Sequence, residues 1–135
     1  MAERRCSADV QRLEGMAVAR KIVSDFQQAM GRGDFAAARS LLRDDLSFRG
    51  PIGDFEDADR LIGALKKLQS VIERVDIKKI FADGNDVCVL FDLVTKTPAG
   101  DALVAEWYRV EDGRIAMMRA MFDARPFAGM LAKLR

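Results

Sequence analysis

A chain of 135 residues, half of them hydrophobic, suits a single domain with a proper core. Its 22 basic and 21 acidic residues leave a formal net charge of +1, without the one-signed field that nucleic acid or an anionic membrane requires, so neither is expected as a partner. Histidine is absent, which excludes histidine general bases, Ser-His-Asp and Cys-His arrangements and most transition-metal sites, and leaves carboxylates, tyrosine, lysine and arginine as the chemical groups.

The first residues, Met1 to Val10, carry charges and a cysteine but no apolar h-region. No later segment approaches the roughly 18 uncharged apolar residues of a membrane span, so a cytoplasmic protein with a flexible stretch over residues 1–8 is expected. Cys6 in that stretch and Cys88 in an apolar run argue against a structural disulfide. Apolar residues Val10, Leu13, Ala17, Val23, Phe26 and Met30 then recur at near-helical spacing until Gly31 and Gly33 stop the run, which predicts a long first helix. Asp34 suits the N-cap of a second helix carrying Phe35, Ala38, Leu41 and Leu42, followed by Asp44-Asp45 and a short strand from Leu46 to Arg49. Gly50-Pro51 and Gly53 break that strand. Asp57 can cap a third helix whose Ala58, Leu61, Ile62, Leu65, Leu68 and Ile72 form one apolar stripe.

From Val75 the texture changes to β-branched and aromatic runs separated by turns at Asp83-Gly84-Asn85, Pro98-Ala99-Gly100 and Asp112-Gly113, predicting four antiparallel strands in a meander. Helices followed by consecutive strands indicate an α+β domain spanning residues 1–135, closed by a short helix from Pro126 to Leu134 whose Phe127, Met130, Leu131 and Leu134 cover one mouth. The last hairpin admits two registers. A two-residue turn at Asp112-Gly113 pairs Glu106 with Arg119, whereas a three-residue loop with a glycine bulge pairs Glu106 with Met118, and the two place opposite sets of side chains on the inner face.

The stretch Asp112-Gly113-Arg114-Ile115 through Met118-Arg119-Ala120-Met121-Phe122-Asp123, with Leu42 to Gly53 upstream, resembles the nuclear transport factor 2-like superfamily. That superfamily includes ketosteroid isomerases, limonene epoxide hydrolases, SnoaL-type polyketide cyclases and members without known activity. The resemblance implies a cystatin-like cone, a curved antiparallel sheet wrapped around N-terminal helices, and it favours the bulged register. Val104, Glu106, Tyr108, Met118, Ala120 and Phe122 then face the helices, while Trp107, Met117 and Met121, joined by Val89, Phe91 and Leu93, form an outer apolar face. A homodimer through that face, at Phe91, Trp107, Met117 and Met121, is the expected partnership.

Because the superfamily keeps its scaffold while exchanging pocket groups, activity has to be read position by position. The resemblance to ketosteroid isomerase carries its proton-shuttling aspartate onto Gly50, its oxyanion-hole tyrosine onto Phe26 and its oxyanion-hole acid onto Glu106. Two of these three groups are missing. The resemblance to limonene epoxide hydrolase carries an Arg-x-Asp pair onto Leu90-Phe91-Asp92 and a second aspartate onto Ala120, so only Asp92 is kept. What remains is a pair of acids, Asp92 and Glu106, expected to point inward among Phe26, Phe48, Ile52, Val104, Tyr108, Met118 and Phe122. Apolar walls and a nearby like charge raise a carboxyl's pKa toward neutrality, as a general acid or base requires. Structural alternatives are an ion pair between Glu106 and Arg49 or another cation, and a wet cavity mouth for Asp92. No GxGxxG or P-loop pattern occurs, and Asp44-Asp45 has no third oxygen ligand at suitable spacing, so neither cofactor nor metal is expected. Two function classes stay open. One is an apolar pocket for a small hydrophobic molecule with cofactor-independent carboxylate acid/base chemistry of the isomerase, cyclase or hydratase type; the other is a non-catalytic ligand-binding or dimerisation module.

Overall fold

The structure is a computed structural model and describes residues 2–134, with side chains described for residues 8–133. It begins with α1 (Ala2–Gly31), α2 (Phe35–Ser40), β1 (Leu42–Gly50), β2 (Gly53–Phe55) and α3 (Ala58–Gln69). Four strands follow, β3 (Ile72–Asp83), β4 (Asp86–Thr95), β5 (Asp101–Glu111) and β6 (Arg114–Met121), and a 3-10 turn (Arg125–Phe127) leads into α4 (Ala128–Leu134). The α+β class is as expected. The side chains of residues 1–7, Cys6 among them, and that of Leu134 lie outside the described residues, and with them most of the stretch expected to be flexible.

Both anticipated caps form. The Asp34 carboxylate accepts the Ala37 N–H at 3.1 Å, and Asp57 accepts those of Asp59 and Arg60 at 2.7 and 3.2 Å, filling donors left open at the helix starts. Two boundaries move. Leu42 opens a strand instead of closing the second helix, and Ile72 opens β3 instead of ending the third helix. An apolar residue at an element end fits either period, so tertiary pairing decides.

The sheet order is β2-β1-β6-β5-β4-β3, and β1 and β6 run parallel while the other neighbours are antiparallel. The curved sheet is therefore mixed. The meander of β3 to β6 follows from short turns, whereas the parallel pair joins strands separated by β2, α3 and the first three strands of the meander, a connection that local turn signals do not encode. Pairing shifts interrupt β1/β6, β3/β4 and β5/β6, and such irregularities bend the strands into the concave wall that holds α1. Val23, Phe26 and Ala29 of α1 are buried in that concavity with Leu46, Val89, Val104, Tyr108, Ile115 and Met118. At about 45 Å, the 30-residue α1 outruns the cone. Val10 and Leu13, which continue its apolar stripe, consequently stay exposed.

The last hairpin resolves the register in a way that neither simple alternative anticipates. Asp112 (φ 51°) and Gly113 (φ 77°) form a two-residue turn of the mirror-image kind that suits strand twist, pairing Glu111 with Arg114. One extra residue, Ala116, then bulges out of β6, so Arg109 pairs with Met117 and Glu106 with Ala120. Turn length follows the first alternative and facing follows the second: Val104, Glu106, Tyr108, Met118 and Ala120 share the inner face.

Candidate functional site

Between α1, α3 and the concave sheet lies a cavity of about 170 Å³. Phe26 and Met30 come from the buried side of α1, Leu65 and Leu68 from the apolar stripe of α3, and Phe48, Phe91, Val104 and Ala120 from the inner rows of the sheet. Pro51 and Ile52, in the tight connection from β1 to β2, and Phe122, just past β6, complete the wall, while the exposed Gly31, Glu73 and Arg74 mark where it meets solvent.

The lining is mostly apolar, with Glu106 on its sheet side. The buried Tyr108, two residues along β5, donates its O–H to Glu106 Oε1 at 2.5 Å, and Gln27 Nε2 on α1 donates to the Tyr108 oxygen at 2.5 Å. Among the described residues no hydrogen bond reaches Glu106 Oε2, yet no buried side-chain oxygen lacks a partner, so Oε2 is open to the cavity. Burial pushes the Glu106 pKa up to about 7, opposed in part by the Tyr108 hydrogen bond, which favours the ionised form. Burial and the adjoining Glu106 hold the Tyr108 hydroxyl well above its ordinary range, so it remains a donor. Arg49 does not pair with Glu106; it donates to the Phe48 carbonyl at 2.9 Å and to Glu56.

Asp92 and Glu106 are not brought together. β4 pairs with β5 so that Val89 lies opposite Glu106 and Asp92 opposite the exposed Leu103, turning Asp92 away from the cavity toward Lys78, whose ammonium sits 2.9 Å from its carboxylate. The same register turns Val89, Phe91 and Leu93 inward, correcting their assignment to the outer face. A one-residue offset across the Thr95–Asp101 connection reverses every side chain of a strand, and nothing local in β4 marks the offset. Tyr108 and Met118, expected as ligand contacts, lie behind the wall. Both are buried, and Phe26 stands edge-on to Tyr108 with ring centroids 6.0 Å apart. Phe26, Phe48, Ile52, Val104 and Phe122 do line the cavity. Gln27 escaped sequence reading because it sits one residue off the apolar stripe of α1; its place beside Phe26 was the available signal.

Gly50, where the resemblance puts an aspartate, is closely walled in. A Cβ there would meet the Ala120 Cβ at 3.1 Å and the Ala120 carbonyl oxygen and Phe48 ring at 3.2 Å, so a side chain needs β6 to give way. Asp44 and Asp45 are ion-paired with Arg39 at 2.6 Å and Arg43 at 3.2 Å, and among the described residues no group of three or more His, Cys, Asp or Glu side chains is placed to hold a metal ion. Asp123 accepts the Arg125 N–H at 3.1 Å and pairs with its guanidinium at 2.7 Å, contacts that hold its carboxyl down to about 2.

On the outer face, Leu103, Trp107 and Met121 are 64%, 38% and 52% exposed, with Met117 half-buried among them. Trp107 is fixed from its polar edge, its indole N–H donating to Asp86 at 3.0 Å while the Arg109 guanidinium stacks 5.5 Å from the ring centre. Among the described residues none of the closing helix lines the cavity; Phe127 and Leu131 are buried, and α4 packs toward α3.

A long helix seated in a curved six-stranded sheet, with a cavity between them, is the architecture of the nuclear transport factor 2-like, cystatin-like class. Residues 23–118 match the SnoaL-like domain family, and the chain belongs to that family. It is similar to a nuclear transport factor 2-like protein of unknown function from Cytophaga hutchinsonii, at 28% identity and a TM-score of 0.71 over 82% of this chain and 94% of that one. It is also similar to an LEH-like epoxide hydrolase from M. tuberculosis, at 24% identity and a TM-score of 0.71 over 87% and 92% of the two chains. A steroid delta-isomerase from Pseudomonas aeruginosa is similar at 21% identity, with a TM-score of 0.72 over 87% and 88%. The latter two likenesses concern the fold alone. No curated protein matches the chain. Among the described residues no helix is long and apolar enough to cross a membrane.

Proposed function

We propose that the cavity binds a small, largely apolar molecule bearing one oxygen acceptor, and that Glu106 moves a proton to or from that molecule without a cofactor, as in isomerase, cyclase or hydratase chemistry. The observation that carries this reading is a carboxyl at an apolar wall with one oxygen fixed by Tyr108 and the other open to the cavity. In its neutral form Glu106 donates from Oε2 to a ligand carbonyl; once ionised it accepts a proton. Tyr108 keeps its donor on Oε1 through both states, and Gln27 holds Tyr108 in place. A pKa near neutrality serves both directions of transfer at neutral pH. The test is a carbon-13 titration of the Glu106 carboxyl with and without a small cyclic ketone. The expected apparent pKa is near 7 and shifts when the ketone binds. A midpoint near the ordinary 4.5 with no response to ketone leaves the non-catalytic module as the better reading.

We also infer that two copies pair through the outer sheet face. An apolar surface formed by Leu103, Trp107 and Met121 is costly to leave in water, and a two-fold pairing of sheets buries it on both copies at once. Light scattering is expected to give about twice the 15.0 kDa chain mass. The double substitution Trp107→Glu and Met121→Glu is expected to halve that mass with an unchanged circular dichroism spectrum; a monomeric wild type at all concentrations rules the pairing out.

A further inference from the structure

Resting on the reading above, we propose that this site takes ketones of a single ring, and that fused four-ring ketones are excluded by the size of the cavity. Three observations converge. The cavity holds about 170 Å³, close to the roughly 150 Å³ that accommodates a benzene-sized guest and well below the 300 Å³ and more typical of drug-sized ligands. Its far walls are not yielding ones: Phe48 and Phe91 are buried, and Phe48 is braced by Phe55 with ring centroids 5.8 Å apart. The way out passes Glu73 and Arg74, exposed side chains that a long apolar ligand protruding from the cavity would have to strip of water.

Orientation follows from the polar groups. Oε2 of Glu106 is open to the cavity, and Tyr108 already occupies Oε1 with a donor, so the neutral acid's own O–H is available to the ligand. The ligand therefore presents an acceptor there. A carbonyl fits this geometry, and its ring is left against Phe48, Ile52 and Phe91. Occupancy at the roughly native density of protein interiors corresponds to about six to ten non-hydrogen atoms, a one-ring ketone with a short alkyl branch.

The experiment titrates the wild-type chain with 4-isopropylcyclohex-2-en-1-one and, separately, with a four-ring 3-keto steroid, following heat of binding and the Glu106 carboxyl carbon-13 signal together. The expected result is at least tenfold tighter binding of the one-ring ketone, with the Glu106 signal moving only for that ligand. Steroid binding equal to or tighter than that of the one-ring ketone, with the Glu106 signal responding, overturns the size limit and leaves the acid/base reading standing. If neither ketone moves the Glu106 signal, this inference fails; if the Glu106 midpoint is also that of an ordinary carboxyl, the acid/base reading fails with it. Phe48→Ala, if it folds, is expected to raise steroid affinity at least fivefold; no change in that variant also counts against size as the limit.

Discussion

Replacing Glu106 with glutamine is expected to leave stability nearly unchanged at pH 4 and to raise it by up to about 3 kcal/mol above pH 7, relative to the wild-type chain at the same pH. The folded carboxyl titrates at about 7 against an ordinary 4.5 because burial disfavours its charge. Between those values the native chain keeps a proton that the unfolded chain has released, so raising the pH favours unfolding. The stability held by the neutral acid is complete below 4.5 and is lost as the pH passes through 7. Glutamine has the shape of the neutral acid, still accepts the Tyr108 O–H and cannot ionise, so it escapes the loss. Urea unfolding of both chains from pH 4 to 8 gives the difference directly. Carboxyls such as Asp123, held down to about 2 by Arg125, titrate in both chains and cancel from it. A difference that stays flat across this range means that Glu106 ionises normally in the fold, and the proton-transfer reading goes with it.

Tyr108→Phe is expected to cost about 1–3 kcal/mol and to move the Glu106 midpoint above 7. The hydroxyl both donates to Glu106 and accepts from Gln27, so its removal leaves Glu106 Oε1 without its donor and the Gln27 amide without its acceptor. The lower end of the range applies if water entering from the cavity reaches either group. The direction of the pKa change follows from the sign of the contact. A hydrogen bond to the carboxylate favours ionisation, so losing it adds to the effect of burial. Carbon-13 titration of Glu106 in the variant reads the midpoint, and chemical denaturation reads the cost. A midpoint that falls would mean that Tyr108 does not hold Glu106 in solution, and the Gln27–Tyr108–Glu106 chain would no longer describe the site.

The two substitutions test the same small cluster, and how legible that cluster was in the sequence differs by residue. Glu106 stood out as an acid on an otherwise apolar strand face, and alternation within β5 placed it beside Val104 and Tyr108 whatever the neighbouring strands did. Asp92 stood out equally and was misplaced. Its facing depends on how β4 is offset against β5, and a shift of one residue exchanges Phe91 and Leu93 for Asp92. The run Val87 to Val94 is apolar on both faces apart from Asp92, so no alternation marked the inner side. Gln27 carried no chemical signal of its own and acquires its part only because α1 lies across Tyr108.

By itself the sequence determined the α+β class, the two aspartate caps and the turns at Gly84, Gly100 and Asp112-Gly113, because these rest on local dihedral preference, short-range hydrogen bonding and periodicity, and it carried the SnoaL-like family through likeness of residues 23–118 to that family. Only the tertiary structure decided that β1 runs parallel to β6, that Ala116 bulges, that Asp92 faces Lys78 and that Tyr108 sits behind the cavity wall. Each of those depends on the relative offset of elements distant in sequence, which is settled by how the whole concave face packs on α1 and α3, and no stretch of chain carries that offset alone.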